Sequence, residues 1–110
     1  MEFKVNISSN RETIMNASYE AIERALEAIG LQAEGYAKML CPVDTGRLRN
    51  SITHTVDATE KKAIIGTNVE YAAYVEMGTS RTKAQPYLQP AVNNHLDEYA
   101  SMVEYFLKNG

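Results

Sequence analysis

The chain has 110 residues, and its 14 acidic side chains against 11 Lys and Arg give a formal net charge of −3. This balance argues against a protein that neutralises nucleic-acid phosphates with a general basic surface. A single cysteine excludes an internal disulfide, and no apolar run approaches the roughly 20 residues of a membrane-spanning helix. We therefore expect one domain over residues 1–110, made in the cytoplasm.

In the first part of the chain, apolar residues recur first at every second position and then at every third or fourth position. Residues 2–7 alternate polar and apolar side chains, which predicts a half-buried strand. Residues 9–12 have the form of a helix capping box, and we expect one long amphipathic helix from there to about residue 40, with Gly30 and Gly35 as candidates for a bend. Its predicted buried face consists of Ile14, Ser18, Ile22, Ala25, Ile29, Ala33, Tyr36 and Leu40.

A turn is predicted where this helix ends. Pro42 disfavours helical geometry at the residue before it. Asp44 is predicted to be the N-cap of a short helical turn, accepting from the amides of Gly46 and Arg47, while Gly46 permits a tight bend. The candidate residues of this fold corner, together with a glycine further along the chain, are Pro42, Asp44, Thr45, Gly46, Leu48 and Gly78.

The second half of the chain predicts a β-hairpin followed by helices. Residues 52–56 have a period of two, a polar turn follows, and residues 62–67 are predicted as the return strand; with residues 2–7 they make three antiparallel strands. A short helix over residues 71–77, an exposed flexible loop over about residues 79–85 and a last helix opening near Pro90 follow. The fold class is α+β, with a long N-terminal and a C-terminal helix packed on a small antiparallel sheet.

Asp44-Thr45-Gly46 is also the triplet that carries the catalytic carboxylate of aspartic proteases. Here the triplet follows an amphipathic helix, and two arginines come directly after it. Two aspartates that share a proton need a dry and close pairing, which flanking arginines would disturb. The capping role is favoured, and a small dimeric acid protease remains the alternative. Asp44→Asn would abolish hydrolysis by a protease, whereas loss of a cap would cost about 1 kcal/mol.

The remaining chemistry favours binding over catalysis. His54, His95 and Cys41 have no spacing typical of a catalytic or metal-ligating set, so no catalytic residue, metal or cofactor is predicted. Seven tyrosines and five methionines in a chain without tryptophan suit either a core or a protein interface. Glu76 is expected to bond within a fold corner or to contact a partner. The candidate assembly interface is Tyr71, Tyr74, Glu76, Thr79, Ser80, Arg81, Thr82, Lys83 and Tyr87.

An ordered set of short motifs extends from about residue 10 to residue 105. Its members are Pro42, Asp44, Thr45, Gly46, Leu48, Ser51, Ile52, Gly66, Thr67, Tyr71, Ala72, Val75, Glu76, Gly78, Thr79, Ala84, Pro86, Leu88, Pro90 and Ala91. Together they resemble the neck and tail-completion proteins of long-tailed bacteriophages, also described as head–tail joining proteins or minor tail components. Met77 and Tyr87 stand where phenylalanine is common in that family.

The resemblance implies a structural virion protein without catalysis, made in the host bacterial cytoplasm and placed at the head–tail junction. It implies a homo-oligomeric ring in the particle, with a monomer expected in isolation. The partners it implies are other neck, connector or tail proteins, with no membrane and with DNA at most passing through the ring. The loop at 79–85 and the hairpin would meet neighbours, so deleting the loop is expected to spare the fold and abolish joining. A cytoplasmic protein-binding module is a further alternative.

Overall fold

Three short strands form the sheet that the sequence predicted. The computed structural model describes residues 1–8, 11–44 and 46–109, so the capping box predicted at Ser9 lies outside the described residues. Strands β1 (Glu2–Asn6), β2 (Thr53–Asp57) and β3 (Lys62–Gly66) lie in the order β1-β3-β2. Both neighbouring pairs are antiparallel, which confirms the predicted strand, hairpin and α+β class.

The register gives the sheet one apolar and one polar face. Ile65 at the centre pairs with Phe3 on one side and with His54 on the other. Because side chains alternate along a strand, these three residues share the face that packs against the helices. The opposite face carries exposed polar side chains, including those of Glu2 and Thr55.

The predicted single long helix is two helices, α1 (Arg11–Met15) and α2 (Tyr19–Leu40). Ser18 has extended backbone geometry, and its side-chain oxygen accepts a hydrogen bond from Ala21 N at 3.1 Å. Serine is a preferred N-cap because its oxygen satisfies an amide that has no partner inside the helix. The prediction that placed Ser18 on a continuous buried face was therefore wrong, and Leu40 at the other end is also largely exposed.

Small residues on the buried face of α2 allow the helix to approach the sheet closely. The helix continues through Gly30 and Gly35. A Cβ atom at Gly30 would lie 2.7 Å from Cδ2 of His54 on β2, so the ring occupies the space that a side chain would need. The buried residues of α2 are Ala21, Ile22, Ala25, Leu26, Ile29, Gly30, Ala33 and Ala37.

Four further helices complete the fold: α3 (Arg47–Ser51), α4 (Ala72–Met77), α5 (Leu88–Asn93) and α6 (Leu96–Asn109). The single last helix that was predicted is thus divided between α5 and α6, and Leu96 at the start of α6 is exposed. His95 at the break stacks on Tyr36 of α2 with ring centroids 3.6 Å apart. At the other end Thr13 donates to Glu104 at 3.0 Å, so α6 runs antiparallel to α2.

Candidate functional site

The predicted fold corner lies at the C-terminal end of α2. The helix ends at Leu40, and α3 begins at Arg47 with Gly46 as its N-cap at a φ of 86°. A positive φ is accessible to glycine without the steric penalty of a Cβ, as predicted for this turn. The side chain of Leu48 is buried, which also agrees with the prediction.

The capping role predicted for Asp44 is wrong. The N-cap of α3 is Gly46, and no side-chain hydrogen bond caps the helix in the described part of the chain. Asp44 is exposed in the loop before it, and Thr45 lies outside the described residues. Pro42 follows the end of α2 as expected, so the corner is made by proline and glycine geometry, with no carboxylate cap.

Glu76 joins α4 to the start of α5 from inside the fold. Its side chain belongs to α4 and is only 4% exposed. Its Oε1 accepts from the backbone nitrogens of Tyr87 at 3.1 Å and Leu88 at 2.8 Å, and its Oε2 accepts from Gln89 N at 3.1 Å. One carboxylate therefore satisfies three amides at the start of α5, where the helix leaves such groups without partners. Of the two roles considered for Glu76, the structure shows the corner-bonding one.

Tyr87 is the second member of the predicted interface that lies in the core. It is fully buried, and its hydroxyl donates to the carbonyl oxygen of Ala72 at 3.1 Å. Burial raises the pKa of its phenol. Glu76 and Tyr87 are therefore corrected from surface candidates to internal supports of α4.

The loop after α4 is exposed, but hydrogen bonds within the loop hold its backbone in place. Thr79 N donates to Thr82 O at 2.9 Å, and the Thr79 side-chain oxygen accepts from the nitrogens of Arg81 and Thr82 at 3.2 and 3.0 Å. Gly78 has a φ of 76°, and a Cβ there would lie 2.6 Å from Ala84 N. Glycine is thus required at this position, as the sequence predicted, and the loop leaves α4 in a defined direction.

Five of the other predicted interface residues border one or both of two adjoining depressions: Tyr71, Tyr74, Thr79, Thr82 and Lys83. One has a volume of about 580 Å³ and the other of about 220 Å³, and both are lined by Pro42, Tyr71 and Val75. Tyr74 borders the smaller depression with 63% of its surface exposed, and Met77 is 65% exposed. We call Tyr71, α4 and residues 79–83 the α4 surface; it brings together Tyr71, Tyr74, Thr79, Ser80, Arg81, Thr82 and Lys83.

Charge on the α4 surface is distributed unevenly. The guanidinium of Arg47 forms two hydrogen bonds with Glu70, at 2.9 and 2.8 Å, and lies 5.5 Å from the ring centre of Tyr71. Within residues 1–8, 11–44 and 46–109, by contrast, no carboxylate forms a salt bridge with Arg81 or Lys83. The exposed loop therefore presents two positive charges beside exposed apolar side chains.

Comparison with known protein families identifies the chain. Residues 3–78 match the HK97-gp10-like family, described as "Bacteriophage HK97-gp10, putative tail-component". The chain belongs to this family. No curated protein and no solved structure matches it. The resemblance to phage tail components is thereby confirmed, and it covers a different span from the one expected, beginning at β1 and ending at Gly78.

The match to the HK97-gp10-like family includes the corner and α4 but stops before the loop. The exposed cations Arg81 and Lys83 therefore lie outside the matched region. In the part of the chain that the structure describes, no helix is long and apolar enough to cross a bilayer.

The two histidines of this tail-component protein have close partners that sequence spacing did not predict. His54 lies between two carboxylates of α2, with Nε2 2.5 Å from Glu27 and Nδ1 2.8 Å from Glu34. Burial lowers the pKa of His54, but the two carboxylates more than offset this and raise it above its ordinary value. Glu27 and Glu34 are seven residues apart, a helical spacing that places them on one side of α2.

The described residues also include side chains of the kinds that bind metals or act as nucleophiles. They contain no cluster of three or more His, Cys, Asp or Glu side chains that could hold a metal ion. Cys41 is buried, and burial raises the pKa of its thiol.

Proposed function

We propose that the chain is a non-catalytic structural protein of the head–tail junction of a long-tailed phage or prophage, where it completes the neck or tail as a ring of identical copies. Membership of a tail-component family supports a role in the virion. A ring of identical subunits needs a heterologous contact, in which one surface of a copy binds a different surface of the next and the rotation closes.

The observation that carries the proposal is the rigid presentation of exposed apolar side chains on α4. Tyr74 and Met77 are exposed, while Glu76 between them is buried and bonded to the start of α5. Tyrosine and methionine are enriched at protein interfaces, where large side chains bury area. A helix fixed from inside would pay little ordering entropy on docking.

Arg81 and Lys83 would help to orient the partner in that contact. Both are exposed on a loop whose backbone is tied through Thr79. Charges at the rim of an interface steer partners and set their orientation more than they add affinity. The partners that suit the α4 surface are acidic faces of further copies, or of other neck, connector or tail proteins.

Electron microscopy of a phage lacking this gene tests the proposed place in the particle. We expect separate full heads and finished-looking tails, and addition of the purified protein should restore joining. Mixing purified heads and tails with the protein would show which part accepts it. Normal joined particles from the deletion strain would contradict the junction role.

A second experiment tests the α4 surface itself. The structure ties Gln85 to α4, since Gln85 N donates to Val75 O at 2.8 Å, so deleting residues 79–85 would also disturb the fold. The sharper variant is Arg81→Glu with Lys83→Glu, which reverses both charges and leaves the backbone bonds intact. We expect an unchanged Tm and a loss of infectious particles. Arg11→Glu, an exposed cation on α1, is the matched control and should leave particle yield unchanged.

A further inference from the structure

Two glycines of α2 lie in different surroundings. Gly30 faces the ring of His54, so the chain's own packing accounts for it. Gly35 is exposed, and a Cβ built there would meet no atom of the described residues within 4 Å. Glycine in a helix interior is less favourable than alanine because it loses more backbone freedom on folding. Packing within the described chain therefore gives no reason for the glycine at position 35.

Gly35 lies at the centre of an exposed apolar ridge. Leu31 and Met39 stand four residues before and after it, on the same side of α2. They are 61% and 80% exposed, which is unusual for side chains of this size in a helix that covers a sheet. A position without a side chain between two large ones forms a notch, where a side chain of another molecule could approach the helix backbone.

We propose that this ridge is one half of the contact between copies of the chain, and that its occupant is the α4 surface of the next copy. The inference rests on the proposed ring and names its two faces. Met77 or Tyr74 of the next copy supplies a large side chain for the notch at Gly35. Leu31 and Met39 then pack on either side of it.

Charge complementarity favours this occupant. Toward its N-terminus the exposed face of α2 carries three acidic residues and one basic residue, a negative balance made by Glu20, Glu23, Glu27 and Arg24. The α4 surface carries Arg81 and Lys83, which form no salt bridge within the described part of the chain. An acidic ridge attracts a basic loop, which steers the two faces together. If the ridges of two copies packed against each other in parallel, like charges would meet.

The positions of the two faces suit head-to-tail assembly. The ridge runs along the side of α2, which is about 33 Å long at 1.5 Å per residue. The α4 surface lies beyond the C-terminal end of that helix, beside Pro42. Since the two faces are different parts of one molecule, each copy can bind two neighbours, and the contact repeats until it closes.

Cysteine cross-linking in trans tests the contact. Full-length Leu31→Cys and Met77→Cys variants, carrying tags of different size, are mixed at high protein concentration and also co-expressed in phage particles, then treated with a short bismaleimide. We expect a mixed adduct from the pair and no adduct from either variant alone. The parent chain, which keeps its buried Cys41, is the control for background labelling. A Leu31→Cys self-adduct, or no mixed adduct in particles that contain both variants, would overturn the proposal.

Substitution of Gly35 provides a second measurement that a purely structural role would not predict. Gly35→Ala should raise the Tm of the isolated chain by about 4 °C, because alanine favours the helix and meets open space. The same change, and more strongly Gly35→Leu, should lower the yield of the mixed adduct several-fold. An unchanged yield in both would overturn the role of the notch. If the adduct forms but head–tail joining is normal without the gene, the contact stands and the junction role fails.

Discussion

The carboxylate of Glu76 accepts a hydrogen bond from the backbone nitrogen of Leu88 at 2.8 Å, across 12 residues of chain. The same side chain also binds the amides of Tyr87 and Gln89. It fixes the start of α5 against α4 and brackets the exposed loop between them. An internal bond of this kind lets the loop carry charge and exposed side chains while its two ends stay in place.

Replacing Glu76 should therefore weaken the whole fold. Glu76→Ala leaves three amides at the start of α5 without their acceptor, two of them buried, and we expect a loss of about 2–3 kcal/mol in the free energy of unfolding. Glu76→Gln keeps one acceptor oxygen and should lose about half as much. Urea denaturation followed by circular dichroism measures both. Glu23→Ala, on the exposed face of α2, is the control and should change stability by less than about 0.5 kcal/mol. Equal losses in all three variants would contradict the bond's role.

The sequence predicted the strands and the turn glycines well because their signals are local. Residues 53–57 are rich in β-branched side chains and residues 62–66 include two isoleucines, and Gly46 and Gly78 have positive φ values, which glycine adopts without a steric penalty. The breaks at Ser18 and His95 were missed because the apolar spacing continues across both. Periodicity reports which side of a helix is buried, and it does not detect a cap that interrupts the backbone.

The bonding partners of Glu76 and His54 were not predicted, for a different reason. Each contacts residues at least 11 positions away, and those partners are brought close only by the packing of one element on another. The structure shows Glu76 as a buried carboxylate and His54 as an imidazole held between two carboxylates. The glycine of α2 that faces the imidazole, Gly30, was predicted to bend the helix and instead makes room for the ring.

The two glycines of α2 should respond to alanine in opposite directions. Gly30→Ala forces a methyl group into the ring of His54, 2.7 Å away, and should destabilise the protein by about 1–3 kcal/mol. Gly35→Ala meets open space and should stabilise the protein by about 0.5–1 kcal/mol. Urea denaturation of both variants beside the parent measures the difference. The same sign of change at both positions would contradict the packing described for Gly30.

His54 should make stability depend on pH. Burial lowers its pKa, but the carboxylates of Glu27 and Glu34 raise it by more, so the folded protein holds the proton more tightly than the unfolded chain. The stabilisation is then complete below the ordinary histidine value of 6.5 and is lost as the pH rises through the higher folded value. Burial raises the pKa of Glu34, but His54 and Lys38 lower it overall, so its contribution is complete above its ordinary value of 4.5. Both contributions are complete between these two values.

A His54→Gln variant tests this dependence. At about pH 6 we expect it to lose about 1–2 kcal/mol, since glutamine cannot donate charged hydrogen bonds to both carboxylates. The deficit should shrink as the pH rises, because the parent loses the same interaction. Urea denaturation at several pH values, with Lys38 and both glutamates retained, gives the two curves. A deficit that stays constant across the pH range would show that His54 acts by packing alone.

Asp44→Asn separates the structural and acid-protease hypotheses. Because Gly46 caps α3 and Asp44 is exposed, the variant should change the free energy of unfolding by less than about 0.5 kcal/mol, smaller than a lost cap would give. Two aspartates that share a proton need a dry pairing, and this exposed carboxylate would have to find one between copies. Incubation of parent and variant with a denatured protein substrate at acid pH measures hydrolysis directly. Cleavage by the parent that the variant lacks would establish a protease and contradict the structural role; no cleavage by either, with unchanged stability, is the outcome expected of an assembly protein.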